Sequence, residues 1–303
     1  MKKFKKIVCL DYTRLTEPTF ARLSDYSLEP VAIYQDSPKD EAEKLQRIGD
    51  ADCVLVSWNT RIEASVIRQS PSLKYIGMCC SLISKASANV AIEAAEEQGI
   101  VVKGVRDYGD EGVVEFILAQ LIVLAKGMGK QQWKPVQTEL KGKVLGIVGL
   151  GAVGQMLAQA AVAFGMKVLY FSRTRKEELE SEHIQYVSLA TLLSLSDVVT
   201  THLPRGTKLM GEQEFSLMKP NSIFINTSVG PTFEVDALYN WLEKPENFAI
   251  FDFDGAFGME HLDRYPNLLY FNKTSGMTDA AFDRLSSKVM DNLLTFLDSE
   301  GEV

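Results

Sequence analysis

The segment Gly149-Leu150-Gly151-Ala152-Val153-Gly154 carries three glycines in the spacing G-x-G-x-x-G. An apolar run, Val144–Val148, precedes the segment, and a helical pattern follows it. In this context the first glycine permits a tight turn, the second lets the backbone approach a pyrophosphate, and the third lets the helix pack closely on the strand. The N–H groups at the start of the helix attract the phosphates. The segment therefore predicts a dinucleotide-binding site.

The residues after the next apolar strand bear on which dinucleotide is bound. About 20 residues beyond the glycines, an NAD site usually has a carboxylate that binds the ribose hydroxyls. Here the strand Lys167–Phe171 is followed by Ser172-Arg173-Thr174-Arg175-Lys176, which has no carboxylate. Because Arg–phosphate bonds are strong and directional, we predict that Ser172, Arg173 and Thr174 contact the 2′-phosphate of NADP, in preference to NAD. The alternative is that these are solvated loop charges and that NAD is also accepted.

The elements that must position this site alternate along the whole chain. Short apolar runs are separated by helical patterns, which is typical of parallel sheets with helices on both faces. The 303 residues suit two domains. A strongly apolar helix at 112–126 can lead from one domain to the next, and its all-round hydrophobicity predicts burial between domains or at a subunit interface. A helix at about 279–297 is long enough to return to the first domain.

We therefore predict an α/β protein with two doubly wound parallel-sheet domains. Residues 1–104 and 280–303 would form a discontinuous, flavodoxin-like substrate domain that is closed by the C-terminal helix. Residues 105–279 would form the Rossmann-type cofactor domain.

Composition limits the classes of partner. The net charge of −8 argues against a nucleic-acid or anionic-membrane surface. No apolar run approaches the roughly 20 residues of a membrane span. The basic start is followed by an apolar run too short for a secretory signal, and the four cysteines have no metal-ligand spacing. We expect a cytoplasmic protein with free thiols, no metal and a small-molecule substrate.

The order of the motifs resembles the D-isomer-specific 2-hydroxyacid dehydrogenase family over nearly the whole chain. The motifs are Asn89–Ala95, Gly99–Val102, Leu140–Gly151, Phe164–Val168, Ser196–Pro204, Asn226–Ser228 and Pro266–Leu269. The resemblance implies two domains with the active site in the cleft between them. It also implies hydride transfer between a nicotinamide and C2 of a 2-hydroxy or 2-keto acid. The residues implied at the nicotinamide end are Leu203, Pro204, Thr227, Ser228, Val229 and Asp252, of which the aspartate contacts the carboxamide.

Three positions depart from the family pattern. The family has a substrate-binding arginine after Asn-Thr-Ser, a glutamate after the strand aspartate, and a histidine acid/base after the Pro-Asn strand. This chain has Val229, Gly255 and Lys273 at these positions. Lys273 is our first candidate for a replacement acid/base, because burial in a cleft lowers the pKa of a lysine toward neutrality. The alternative is a solvated loop lysine.

A second candidate lies in the loop 104–111, before the long apolar helix. Arg106 could bind an anionic substrate, and Tyr108 could donate a proton. The alternative is a structural role, in which Asp110 and Glu111 lie at the helix start with Arg106 as their ion partner. His183 and His202 are assigned no chemistry, and His261 is interpreted as a surface residue.

Two functions are consistent with these residues. The first is an NADP(H)-dependent oxidoreductase that acts on a small carbonyl or imine with a non-standard acid/base. The alternative is a catalytically silent NAD(P)-binding protein with a regulatory or scaffold role. The resemblance also implies a homodimer, although the arm before the cofactor domain, on which the family's usual dimer contact depends, is shortened here.

Overall fold

The computed structural model describes residues 2–299, which divide into two compact units. The first unit contains the described residues up to Tyr108 and those from Thr278 onward, and the second runs from Gly109 to Met277. Residue 1 and residues 300–303, which belong to the predicted substrate domain, lie outside the described residues. None of the helices in the described part of the chain is long and apolar enough to cross a membrane.

The strands form one parallel sheet in each unit. They are β1 (Ile7–Cys9), β2 (Ala32–Ile33), β3 (Cys53–Val56), β4 (Tyr75–Ser81), β5 (Val101–Val105), β6 (Val144–Val148), β7 (Lys167–Phe171), β8 (Ile184–Tyr186), β9 (Val198–Thr201), β10 (Ile223–Asn226), β11 (Phe248–Phe251) and β12 (Leu268–Tyr270). The order is β2-β1-β3-β4-β5 in the first unit and β12-β11-β10-β9-β6-β7-β8 in the second. Both orders reverse direction within the sheet, and ligands of such sheets bind at the carboxyl ends of the strands beside the reversal.

Helices supply the crossovers that parallel strands require. They are α1 (Glu17–Leu23), α2 (Glu41–Ile48), α3 (Ala64–Arg68), α4 (Ile92–Glu97), α5 (Asp110–Lys126), α6 (Ala152–Ala163), α7 (Leu189–Leu195), α8 (Glu212–Leu217), α9 (Val235–Leu242) and α10 (Asp279–Ser299). The predicted α/β class with two doubly wound parallel sheets is confirmed.

Both faces of the second sheet are buried, which explains why its strands are apolar at nearly every position. On one face, α5 and α6 pack against alternate strand residues through side chains such as Ile117, Leu121 and Leu157. On the other face, α7, α8 and α9 contribute Leu192, Phe215 and Leu238 to a separate cluster. The long apolar helix α5 therefore buries one face within its own unit.

The last helix, α10, packs in the first unit. The Phe296 ring stacks on Phe4 with centroids 5.6 Å apart and lies 5.0 Å from the Tyr75 ring. All three aromatic residues are buried. The helix therefore closes the core over β4, which begins at Tyr75.

The apolar patterns of β9 and β11 continue beyond the strands themselves. The strands stop at Thr201 and Phe251, because the chain beyond them leaves the ladder. The amide of Leu203, for example, donates to the Ser228 side chain at 3.0 Å rather than to a neighbouring strand. The residues beyond these two strands therefore belong to loops at the carboxyl edge of the sheet.

Candidate functional site

The glycine loop begins at the carboxyl end of β6, where the backbone requires glycine. Gly149 has φ +100°, a region that side chains disfavour. A Cβ atom at Gly149 would also lie 2.2 Å from the carbonyl oxygen of His202. The amide of Gly149 donates to the carbonyl of Phe171 at 2.8 Å. The loop is therefore fixed between the ends of β9 and β7.

The other two glycines differ in their surroundings. A Cβ at Gly154 would lie 2.4 Å from the carbonyl oxygen of Gly149, whereas a Cβ at Gly151 would have nothing within 4 Å. Gly151 and Ala152 are exposed, and Val153 is half-buried. Helix α6 starts directly after Gly151 and has no acidic residue in its first turn. The open space beside these N–H groups fits a pyrophosphate.

The ends of β9, β10 and β11 are tied together by a buried polar network. The side-chain Nδ2 of Asn226 donates to the backbone carbonyls of Gly255 at 2.8 Å and Gly230 at 3.1 Å. Ser228 Oγ donates to the carbonyl of Thr201 at 3.1 Å and accepts from the Leu203 amide. These bonds fix the loops that carry the predicted nicotinamide contacts.

Within those loops, Leu203 is half-buried and Pro204 is exposed. Thr227 Oγ1 is buried and has no hydrogen-bond partner among residues 2–299. Since buried hydroxyls are nearly always paired, this atom fits a site that a ligand completes. The neighbouring Val229 is half-buried.

Asp252 is a buried carboxylate at the end of β11. Its Oδ1 accepts from the Gly255 amide at 2.8 Å, and its Oδ2 accepts from the Ser275 amide at 2.9 Å and the Ser275 hydroxyl at 2.6 Å. Burial raises the pKa of Asp252, and the hydrogen bonds from Ser275 and Gly255 oppose that rise. A carboxylate has about four acceptor positions, so these three bonds leave capacity for a carboxamide donor. The role of Ser275 was missed in the sequence, because no motif marks it.

Gly255 is the position at which the sequence analysis expected the family's glutamate. A Cβ atom at this position would lie 1.9 Å from the carbonyl oxygen of Asn226. The backbone of this loop therefore has no room for any side chain at position 255.

Lys273 lies on the loop after β12 and is exposed. Its carbonyl accepts from the Phe253 amide at 3.1 Å, which places the loop beside the residue that follows Asp252. Its ammonium group forms no ion pair or hydrogen bond with any side chain that the structure describes. Lys273 is therefore a solvent-exposed loop residue, which is the alternative that the sequence analysis left open.

Arg106 and Tyr108 belong to the other unit. Arg106 Nε donates to the carbonyl of Leu82 at 2.8 Å, and its Nη2 donates to that of Ile83 at 2.7 Å. Tyr108 is buried, and its carbonyl accepts from Arg284 Nε at 2.8 Å. Arg106 thus fastens the loop after β4, a role that neither sequence interpretation included.

The two arginines after β7 differ in their ion pairs. Arg175 forms a bidentate pair with Glu180, with Nε–Oε1 and Nη2–Oε2 distances of 2.7 and 2.8 Å. Arg173 is exposed, as is Thr174, while Ser172 is half-buried. Arg173 has no ion pair or hydrogen bond within the described residues. Of the two guanidinium groups, only that of Arg173 is available to a phosphate without breaking an existing pair.

The three histidines have separate surroundings. Burial lowers the pKa of His202 to about 4, and its Nε2 lies 3.1 Å from Thr200 Oγ1. His202 is therefore neutral at pH 7, and its backbone amide donates to the carbonyl of Val148, directly before the glycine loop, at 2.8 Å. His183 and His261 are exposed, as the sequence analysis expected for His261.

Known proteins resemble this chain in sequence and in fold. The family model for the NAD-binding domain of D-isomer-specific 2-hydroxyacid dehydrogenases matches residues 117–257. A glyoxylate reductase from Thermococcus litoralis is 30% identical over 284 residues, which cover 86% of this chain and 84% of that protein.

Two solved structures share the fold over nearly the whole of this chain. The TT0316 protein from Thermus thermophilus matches with a TM-score of 0.82 and 25% identity, over 97% of each chain. An acyclic imino acid reductase in complex with NADPH and D-Arg matches with a TM-score of 0.81 and 23% identity, also over 97% of each chain. The sequence matches extend over most of the molecule, and the chain belongs to the D-isomer-specific 2-hydroxyacid dehydrogenase family of nicotinamide-dependent oxidoreductases.

Proposed function

We propose that this protein is an NADP(H)-dependent oxidoreductase that acts on a small carbonyl or hydroxy-acid-like substrate. Its acid/base in this proposal is Lys273, whose backbone carbonyl accepts from the amide of Phe253, the residue after Asp252. The observation that carries the proposal is the glycine loop, where the space beside Gly151 and the start of α6 suits a pyrophosphate. When bound, the nicotinamide cofactor supplies or accepts the hydride. In the direction of reduction, Lys273 Nζ would donate a proton to the carbonyl oxygen of the substrate.

The comparisons support a carbonyl or imine substrate. The relative from Thermococcus litoralis is a glyoxylate reductase, and one structural neighbour is an imino acid reductase. Val229 replaces the arginine that would bind a simple 2-keto acid, so the acceptor need not be glyoxylate itself. The proposal also includes a homodimer, which the family resemblance supports. It includes a cytoplasmic location, which the four free, buried cysteines support.

Single-turnover oxidation of bound NADPH tests the proposed activity. The absorbance of the reduced nicotinamide is followed after mixing with glyoxylate, hydroxypyruvate, longer 2-keto acids, aldehydes and cyclic imines. We expect oxidation with at least one of the acids or imines, because the residues around the glycine loop fit the cofactor. Tight NADPH binding without oxidation by any of these compounds would instead favour a catalytically silent nucleotide-binding protein.

Arg173→Ala tests the preference for NADP. We expect the Kd for NADPH to rise about 10- to 30-fold, because a charge-assisted bond to the 2′-phosphate is lost, and the Kd for NADH to stay within about twofold. Both constants are measured by fluorescence titration of the reduced cofactor. In the unmodified protein, NADPH should bind more tightly than NADH.

Arg175→Ala is the matched control, because Glu180 already pairs with that guanidinium. It should change the ratio of the two Kd values much less than Arg173→Ala does. Equal effects of the two substitutions, or equal affinities for NADPH and NADH in the unmodified protein, would refute the proposed 2′-phosphate contact.

A further inference from the structure

Arg205 is an exposed arginine directly after Pro204, on the loop that follows β9. Its Cζ atom lies over the Phe257 ring, 5.6 Å from the ring centroid. Within residues 2–299 its guanidinium has no hydrogen bond and no ion pair. An arginine that is held by an aromatic face and has no acidic partner keeps its donors available for an anion.

The Arg205–Phe257 contact joins the loops of two strands that are not neighbours. Phe257 lies on the loop after β11, and β10 separates β11 from β9 in the sheet. Since adjacent strands lie about 4.8 Å apart, a contact between these loops must pass the carboxyl end of β10. The loop that follows β10 carries Val229, at the position of the family's substrate-binding arginine. Arg205 therefore supplies a guanidinium at the same carboxyl edge of the sheet as that loop.

Two aromatic rings accompany this guanidinium. Phe253 and Phe257 are each 37% exposed and contact each other edge-on, with centroids 6.3 Å apart. Phe253 directly follows Asp252, the predicted carboxamide contact. Paired exposed rings beside a cation suit a ligand that has an apolar part next to an anionic group.

We propose that Arg205 binds the carboxylate of the substrate and that Phe253 and Phe257 receive its side chain. The substrate class is then a 2-oxo acid, or the corresponding hydroxy acid, with an apolar or aromatic substituent. This inference rests on the proposed function and names the substrate class of the same site. The planar guanidinium can form two parallel hydrogen bonds with a carboxylate. The ring beneath it already restricts the rotamers of Arg205, so less side-chain entropy is lost when the carboxylate binds.

The test is calorimetric titration of the full chain, saturated with NADPH, with N-benzyloxamate. This compound is an unreactive analogue of a 2-oxo acid with an aromatic side chain. We expect the unmodified protein to bind it and Arg205→Ala to raise its Kd roughly 30-fold, as loss of a charge-assisted pair predicts. Phe257→Leu should raise the Kd about two- to fivefold, because it removes the ring that holds the guanidinium. Neither substitution should change the Kd for NADPH by more than about twofold.

Arg264→Ala is the matched control, because Arg264 is also exposed and lies over an aromatic ring, with its Cζ 5.2 Å from the Tyr265 centroid. Its effect on N-benzyloxamate should be negligible, and the neutral N-benzyloxamide should not distinguish Arg205→Ala from the unmodified protein. The inference is overturned if the unmodified protein does not bind N-benzyloxamate, if Arg205→Ala and Arg264→Ala behave alike, or if Arg205→Ala weakens NADPH instead.

This binding measurement needs no turnover, so it separates the two proposals. Arg205-dependent binding of the analogue in a protein that oxidises no NADPH would support the anion site and refute the proposed catalysis. Turnover of 2-oxo acids that Arg205→Ala leaves unchanged would support the catalysis and refute the anion site.

Discussion

Gly149→Ala is expected to destabilise the cofactor-binding unit by about 3–5 kcal/mol, a large part of a typical domain's stability. The positive φ of +100° disfavours any side chain, and the new methyl group would lie 2.2 Å from the backbone oxygen of His202. Neither the glycine loop nor the end of β9 can move freely, since both are held by the sheet. Urea denaturation followed by circular dichroism measures the loss. A stability within about 1 kcal/mol of the unmodified protein would contradict the described backbone.

Gly151→Ala is the control, because it leaves the fold intact and acts on the ligand alone. A Cβ at this position meets nothing within 4 Å, and the φ of −77° suits alanine. Stability should therefore change by no more than about 0.5 kcal/mol. The Kd for NADPH should nevertheless rise about tenfold or more, because the methyl group occupies space through which a pyrophosphate approaches the backbone. Unchanged affinity would show that the dinucleotide does not bind against Gly151.

Those parts of the fold with strong local patterns could be predicted from the sequence. The strands β6 and β7 have the predicted bounds, because each is a continuous apolar run followed by residues that leave the sheet. The edge strand β8 was not predicted. It is only three residues long and includes the exposed Gln185, so it has neither the length nor the periodicity of a strand. Pairing with β7 makes this segment a strand, because its own sequence has no strand pattern.

The candidate site was predictable only where one residue type is enough to indicate a role. Glycines in a fixed spacing indicate a tight turn, but the contacts between side chains depend on distant partners. Asp252 and Ser275 are 23 residues apart, and no spacing rule joins them. The sequence also could not separate Arg173 from Arg175, because the difference between them is the pairing of Arg175 with Glu180.

The structure gives a physical reason for one of the three departures from the family pattern that the sequence analysis inferred. Gly255 packs against the carbonyl of Asn226, so the loop after β11 has space only for glycine at this position. Without a carboxylate at this position, a histidine at position 273 would lack the partner that holds it. Glycine at 255 and lysine at 273 are thus consistent with each other, and a lysine acid/base, as proposed, would not need a glutamate at 255.

Lys273→Ala is expected to lower kcat by about 10²- to 10⁴-fold, the usual contribution of a positioned proton donor. The test uses whichever substrate oxidises NADPH most rapidly. The Kd for NADPH should stay within about twofold, since Lys273 is exposed and contributes only backbone bonds to its surroundings.

Lys273→Arg separates proton transfer from simple attraction of charge. An arginine keeps the positive charge but does not release its proton near neutral pH, so it should not restore kcat if the lysine is the acid. Lys244→Ala, at another exposed lysine of the same unit, is the matched control and should leave kcat unchanged. Full activity in Lys273→Ala would remove Lys273 from the chemistry. Full activity in Lys273→Arg alone would assign it an electrostatic role, and the proton would then have to come from another group or from water.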